Sequence, residues 1–167
     1  VIDKFHVVKM ASEALEEERK KYQSTLTKDE RIQVKKSIRW LVLKRPDNLS
    51  PAEQKALLIV RQTIPGLAQA YDFKESFFKI YDEPDKKAAM LAFEAWENSL
   101  PEKEMEKFHG LAKTVHNHYD DIFAYWDSPN RITNAYTECL NGLIKVSNRL
   151  GRGYSYDIIR AKTLYAK

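Results

Sequence analysis

Apolar side chains recur along this chain at spacings of three and four residues, which is the period of a helix with one buried face. Residues from about Phe5 to Thr25 read as a first helix, with Glu16/Lys20 and Glu17/Lys21 at i,i+4 spacing on a face expected to be solvated. Thr27 with Glu30, and Ser50 with Pro51 and Glu53, match the capping box, so further helices should begin there. Pro46, Pro65, Pro84 and Pro101 punctuate the chain, and helices are predicted near 29–44, 51–63, 66–81 and 85–99. From Pro101 to Asp127, Met105, Phe108, Ala112, Val115, Tyr119, Ile122 and Trp126 alternate by threes and fours and predict one long helix with a buried seam. That seam suits packing against helices of the same chain, with a dimerising coiled coil as the alternative. After the break at Ser128, Pro129 and Asn130, Thr133 can cap a helix running to Leu150, stopped by Gly151 and Gly153. A last helix follows from Tyr156. The fold class this predicts is all-α, a compact multi-helix bundle with very little strand, the aromatics of the 101–127 segment being core.

Composition narrows the classes of function. With 43% hydrophobic and 31% charged residues, 5 Gly and 6 Pro in 167 residues, the chain is that of a folded helical protein, not a disordered tail. Cys139 is the single cysteine, so no internal disulfide can form, and no Cys/His cluster has zinc-site spacing. A reducing, cytoplasmic setting and no membrane association are expected, since no apolar run is long enough for a span and no signal peptide is present. The chain starts at Val1, inside the strand-like run Val1, Ile2, Asp3, and is expected to be part of a longer protein. The net charge of +4 is unevenly spread. Seven Lys/Arg from Arg131 onward face only Glu138 and Asp157, a net of +5, which leaves the first 130 residues at −1 (21 Lys/Arg against 22 Asp/Glu). A phosphate backbone would be held at the C-terminal end.

That end carries the candidate chemistry. On the helix from Thr133 to Leu150, Tyr136, Leu140, Leu143, Ser147 and Leu150 share a side expected to face the core. Glu138, Asn141, Lys145, Arg149 and Arg152 share the opposite side, so that one carboxylate is followed by an amide and three cations in a row. A carboxylate can ligate a hard divalent cation, and cations beyond it can hold the phosphates of a nucleic acid passing the metal. Spacing alone equally allows, and by itself favours, a plain solvated face with Glu138 paired to a neighbour. His116, Asn117 and His118 invite comparison with a nuclease motif, but residues two apart on a helix point away from each other, and surface histidines are expected. Cys139 has no readable base at helical spacing and is expected to serve packing.

The stretch Asn130, Arg131, Ile132, Thr133, Asn134, Ala135, Tyr136, Thr137, Glu138, Cys139, Leu140, Asn141, Gly142 resembles the terminal glutamate motif of DDE transposases of the family founded on the ISL-three insertion sequence. Thr137, Glu138, Asn141, Gly142, Ile144, Lys145, Arg149, Arg152, Gly153 and Tyr154 stand where that pattern has its residues. The run Asp3, Lys4, Phe5, His6, Val7, Val8, Lys9 is similar to the Asp-x-Phe-His-Val block of the same family. The likeness spans essentially the whole chain, strongly at both ends and loosely between, where the Trp96 region is similar in kind.

The resemblance implies an RNase H-like core, mostly lying outside this chain, in which two aspartates and one glutamate bind two divalent metals, Mg²⁺ or Mn²⁺, for DNA strand cleavage and transfer. Glu138 would be the third, metal-binding acid, and Asn141, Lys145, Arg149 and Arg152 would contact DNA. Asp3 follows the position of a catalytic aspartate in the resembled pattern, so Asp3 and His6 are expected to form a hydrogen-bonded pair supporting the site from behind, with Asp3 as a second catalytic acid the alternative. Residues 1–130 would be a helical insertion after the end of a core strand and 131–167 the C-terminal core helices, together one compact unit. The expected partners are transposon ends and target DNA, bound by a homo-oligomer on paired ends in a bacterial cytoplasm. The fragment alone is expected to be inactive. From a different class, a non-catalytic helical DNA-binding or protein-interaction module remains the alternative, as does the product of a decayed element.

Overall fold

The computed structural model describes residues 4–28, 38–128, 135–151 and 154–165, leaving aside the side chains of residues 135–138, 147, 163 and 164. Every regular element among the described residues is helical, an all-α architecture as the periodicity predicts. The chain divides into two compact units, Val1–Pro129 and Asn130–Lys167.

Unit 1 opens with α1, Lys4–Ser24. The strand-like run at 1–3 and Glu30 of the first capping box lie outside the described residues, as does most of the helix expected at 29–44, of which 38–43 are helical. Then come α2 (Pro51–Thr63), α3 (Pro65–Ile80), α4 (Lys86–Asn98), α5 (Glu106–Asn117) and the short α6 (Tyr119–Phe123), followed by a 3-10 turn at Ala124–Trp126. Prolines start two of these helices for one reason: at the first helical position the missing N–H has no partner to lose. α2 also has both halves of its capping box, the Glu53 N–H donating to Ser50 Oγ and the Ser50 N–H donating to the Glu53 carboxylate at 2.9 Å. The Lys44 ammonium at 2.6 Å, together with the Ser50 N–H, holds the Glu53 carboxyl down to about 2. A carboxyl lowered on folding stabilises above its ordinary value of 4.5, and that support fades as the pH falls toward about 2. Ser50→Ala removes the cap and should lower stability by about 1 kcal/mol, seen as a reduced urea midpoint at unchanged slope.

The middle of unit 1 is α3, against which α1, α2 and α4 all pack. Its Phe73 and Phe77 meet Trp96 and Phe108, and Phe93 and Phe123 continue the same aromatic core, each buried ring contributing roughly 2–3 kcal/mol. Trp96 lies within this core, its indole N–H donating to the Phe73 carbonyl at 2.9 Å.

Two expectations are corrected here. The single helix predicted over 101–127 is broken: 101–105 is not helical, Met105 adopts the left-handed region at φ 62° and ψ 42°, and His118 separates α5 from α6. Its seam nevertheless stays inside, with Met105, Phe108, Ala112, Val115 and Ile122 buried and Tyr119 and Trp126 packed against them. Periodicity reports which residues are buried, not whether the backbone between them is continuous; His116, Asn117 and His118 form a polar run of weak helix formers where a break is cheap. The seam is therefore occupied by this chain's own core. The charged face of α1 is not wholly solvated either: Arg19 is buried and grips Glu16 with two hydrogen bonds of 2.8 and 2.6 Å. That grip lowers the Glu16 pKa, and the neighbouring pairs, Glu17 with Lys20 and Glu18 with Lys21, are likewise spaced i,i+3, in place of the i,i+4 pairs expected.

Unit 2 holds α7 (Ala135–Leu150) and α8 (Tyr156–Tyr165), which pack on each other. Thr133 and Gly153 lie outside the described residues. A side chain at Gly151 would run into the Tyr154 ring, so the turn between the two helices requires glycine there.

Candidate nucleic-acid interface

α7 is an uninterrupted helix with Glu138 as its fourth residue. The Glu138 side chain is outside what is described, but its backbone register is given, and at 100° per residue Asn141, Lys145 and Arg149 follow it along one face. All three are exposed. Arg152, the last of the predicted row, lies outside the described residues. On α8, Arg160 and Lys162 are exposed as well, Lys162 donating to the Tyr154 hydroxyl at 3.1 Å. What the row can do follows from its composition: the cations attract phosphate, and the amide can donate to a phosphate oxygen or a base edge.

The opposite face does not behave as expected. Within its own unit Leu143 and Leu150 are exposed, as is Val146, whereas that side was expected to face the core; two helices alone have too little surface to cover both apolar stripes. Cys139 is also exposed, so its expected packing role does not hold.

His6 sits in the first turn of α1, exposed and edge-on to Phe5 at 5.9 Å between ring centroids; Asp3, its expected partner, lies outside the described residues. His116 behaves as an ordinary surface histidine, its Nε2 2.9 Å from the Glu97 carboxylate and its ring stacked on Tyr119. No group of three or more His, Cys, Asp or Glu among the described residues could hold a metal ion. Glu138 has the hard oxygen chemistry Mg²⁺ or Mn²⁺ prefers, yet as one carboxylate it makes a single ligand and not a site. No described helix is long and apolar enough to cross a membrane.

One polar cluster in unit 1 was not anticipated from the sequence. Lys74, buried in α3, donates to the Val42 carbonyl at 2.8 Å and stands 2.6 Å from Glu75 Oε1, while Arg45 approaches the same carboxylate at 3.7 Å and bonds Asp82 at 3.1 Å. The signal was present: Lys74 occupies the centre of the stripe formed by Leu67, Tyr71, Phe78 and Tyr81.

Along α7 an exposed amide and two exposed cations follow Glu138 on one face. A family model described as a transposase matches residues 1–162, and the chain belongs to that family, the DDE transposases of the ISL-three type. No curated protein and no solved structure matches it.

Proposed function

We propose that this chain supplies the third acid and part of the DNA-holding surface of a transposase that cleaves and transfers DNA strands. The observation that carries the reading is the order of residues along α7: Glu138 near the helix start, then exposed Asn141, Lys145 and Arg149 on the same face. A carboxylate within a phosphate-binding row opposes DNA unless a cation neutralises it, which is why Glu138 is assigned to a divalent metal. When bound with further acids, Mg²⁺ or Mn²⁺ supplies Lewis-acid activation of a phosphodiester. Glu138 holds it as one ligand; Asn141, Lys145 and Arg149 hold the backbone and fix its register. In this reading residues 1–130 form a helical insertion and 131–167 the C-terminal helices of an RNase H-like core, with Asp3 and His6 supporting the site. The isolated chain is inactive, and the working form is a homo-oligomer on paired transposon ends in a bacterial cell.

The test is end-specific DNA cleavage by the intact transposase with and without Mg²⁺ or Mn²⁺. Metal-dependent cutting supports the reading; metal-independent DNA binding without cutting would leave the non-catalytic module. Removing one phosphate contact, by Lys145→Gln or Arg149→Gln, should weaken binding to all sequences alike and reduce the salt slope of binding by about 1.

A further inference from the structure

Helix α2 covers one part of its apolar surface and leaves another part open. Its Leu57 and Val60 are buried within unit 1, whereas Ile59 is 60% exposed. The helical turn at 38–43 holds Trp40 at 63% exposure. Both side chains line a groove of about 950 Å³ within unit 1, floored by the buried Leu41, Val60 and Ile64, and the small Ala56 leaves room in its wall. Of the residues lining this groove only Glu53 is charged, and the Lys44 ammonium neutralises it at 2.6 Å. The cations next in sequence to the groove residues are also paired, Arg39 with Glu16 at 3.6 Å and Arg61 with Asp72 at 2.6 Å.

We propose that this groove is a contact between two copies of the chain, Trp40 of each seated in the groove of the other. This rests on the reading of the working form as a homo-oligomer and names a surface that joins it. Three features of the face select a second copy. It carries a projecting aromatic and an apolar recess side by side, and a two-fold axis through it presents each to its complement. Its charges are balanced pair by pair, so two identical faces meet without like-charge repulsion, while a phosphate backbone gains little from cations already held by carboxylates. The third feature is area. Trp40 and Ile59 together leave on the order of 250 Å² of apolar surface in water, about a third of the roughly 800 Å² per partner in a stable interface. The groove walls add to the apolar centre, and the ion pairs make a polar rim.

The experiment measures self-association of the intact transposase by sedimentation in EDTA, with and without transposon-end DNA, for Trp40→Ala, Ala56→Trp and an equimolar mixture of the two. Trp40→Ala removes the projection and Ala56→Trp fills the recess, so each alone should raise the Kd of the dimer about tenfold or more. The mixture should form a heterodimer tighter than either homodimer, because the intact Trp40 of one chain still finds the intact groove of the other. Trp40 is mostly exposed, so Trp40→Ala should melt near the wild-type temperature. Should Ala56→Trp melt early, Ala52→Trp at an exposed position of the same groove takes its place. Single variants that associate like wild type overturn the proposal. So does a mixture no tighter than its components, which gives the groove to a different protein or to another part of the same polypeptide. A Trp40→Ala protein that loses DNA affinity with self-association intact overturns it in favour of a surface that stacks on bases. A wild-type protein that stays monomeric at every concentration, with DNA or without, removes the homo-oligomer reading and the groove with it, whereas an oligomer indifferent to these variants removes the groove alone.

Discussion

Glu138→Gln in the intact transposase is expected to lower the rate of strand cleavage by about three orders of magnitude, the equivalent of roughly 4 kcal/mol of transition-state stabilisation. DNA binding and helix content should stay near wild type. The substitution keeps the shape of the side chain and removes one charge, and glutamate and glutamine differ little in helix propensity. As the fourth residue of α7, Glu138 also lies in the turn where a negative charge complements the helix dipole, so its neutralisation lowers stability by about 0.3–1 kcal/mol. The gap between that small effect and the large kinetic one is what distinguishes a metal-holding carboxylate from a surface glutamate. Parallel measurements of melting temperature, DNA affinity and single-turnover cleavage read all three quantities. A variant that cuts at the wild-type rate sinks the assignment, and one that loses DNA binding together with cutting moves Glu138 from metal holding to structure.

The elements that could be read from sequence are those governed by local rules. The capping box at Ser50 and Glu53, Pro51 at the first position of α2, and the end of α7 at Leu150 depend on a few neighbouring residues, and each stands where the sequence predicts; Pro65, read as a break, is itself the first residue of α3. The break at His118 was hidden because its cause is not in the apolar pattern, which continues through Val115, Tyr119 and Ile122 regardless. Left-handed Met105 was hidden for another reason: its side chain is buried to 3% exposure, and core burial outweighs the roughly 1–2 kcal/mol disfavouring that backbone conformation. On α7 the exposure of Asn141, Lys145 and Arg149 was legible because exposure needs no partner. The opposite stripe of Leu143 and Leu150 was misread because hydrophobic periodicity names a face to be covered without naming what covers it. Lys74 could have been found, since a cation in mid-stripe demands a buried partner, but which carbonyl and which carboxylate answer it depends on residues 32 positions away and next door respectively.

That buried cation gives the second large effect. Lys74→Met should destabilise unit 1 by about 3–5 kcal/mol, because it leaves the Glu75 carboxylate buried beside a distant Arg45 and leaves the Val42 carbonyl without its donor. For a unit of this size the melting temperature should fall by about 10–20 °C. Methionine fills nearly the same volume, so the loss measures charge and hydrogen bonding and not a cavity. Adding Glu75→Leu removes the stranded charge and should recover most of the deficit, leaving about 1 kcal/mol for the unpaired carbonyl. The pH response has a definite sign. Burial, opposed by the Glu75 carboxylate, holds the Lys74 pKa below its ordinary value of 10.5, so the folded state releases this proton before the unfolded state does. Over that alkaline window the Lys74 contribution to stability rises with pH, and below it the full penalty of a buried cation is present. Tyr71, which burial pushes up to about 12, acts in the opposite sense above pH 10, so the Lys74 term is read as the difference between wild-type and Lys74→Met stability profiles. A Lys74→Met protein as stable as wild type would mean that the ammonium, for all its contacts, leaves water at no net gain, and that Tyr71 donating to the Lys44 carbonyl and the pair of Arg45 with Asp82 suffice to hold residues 38–45 against α3.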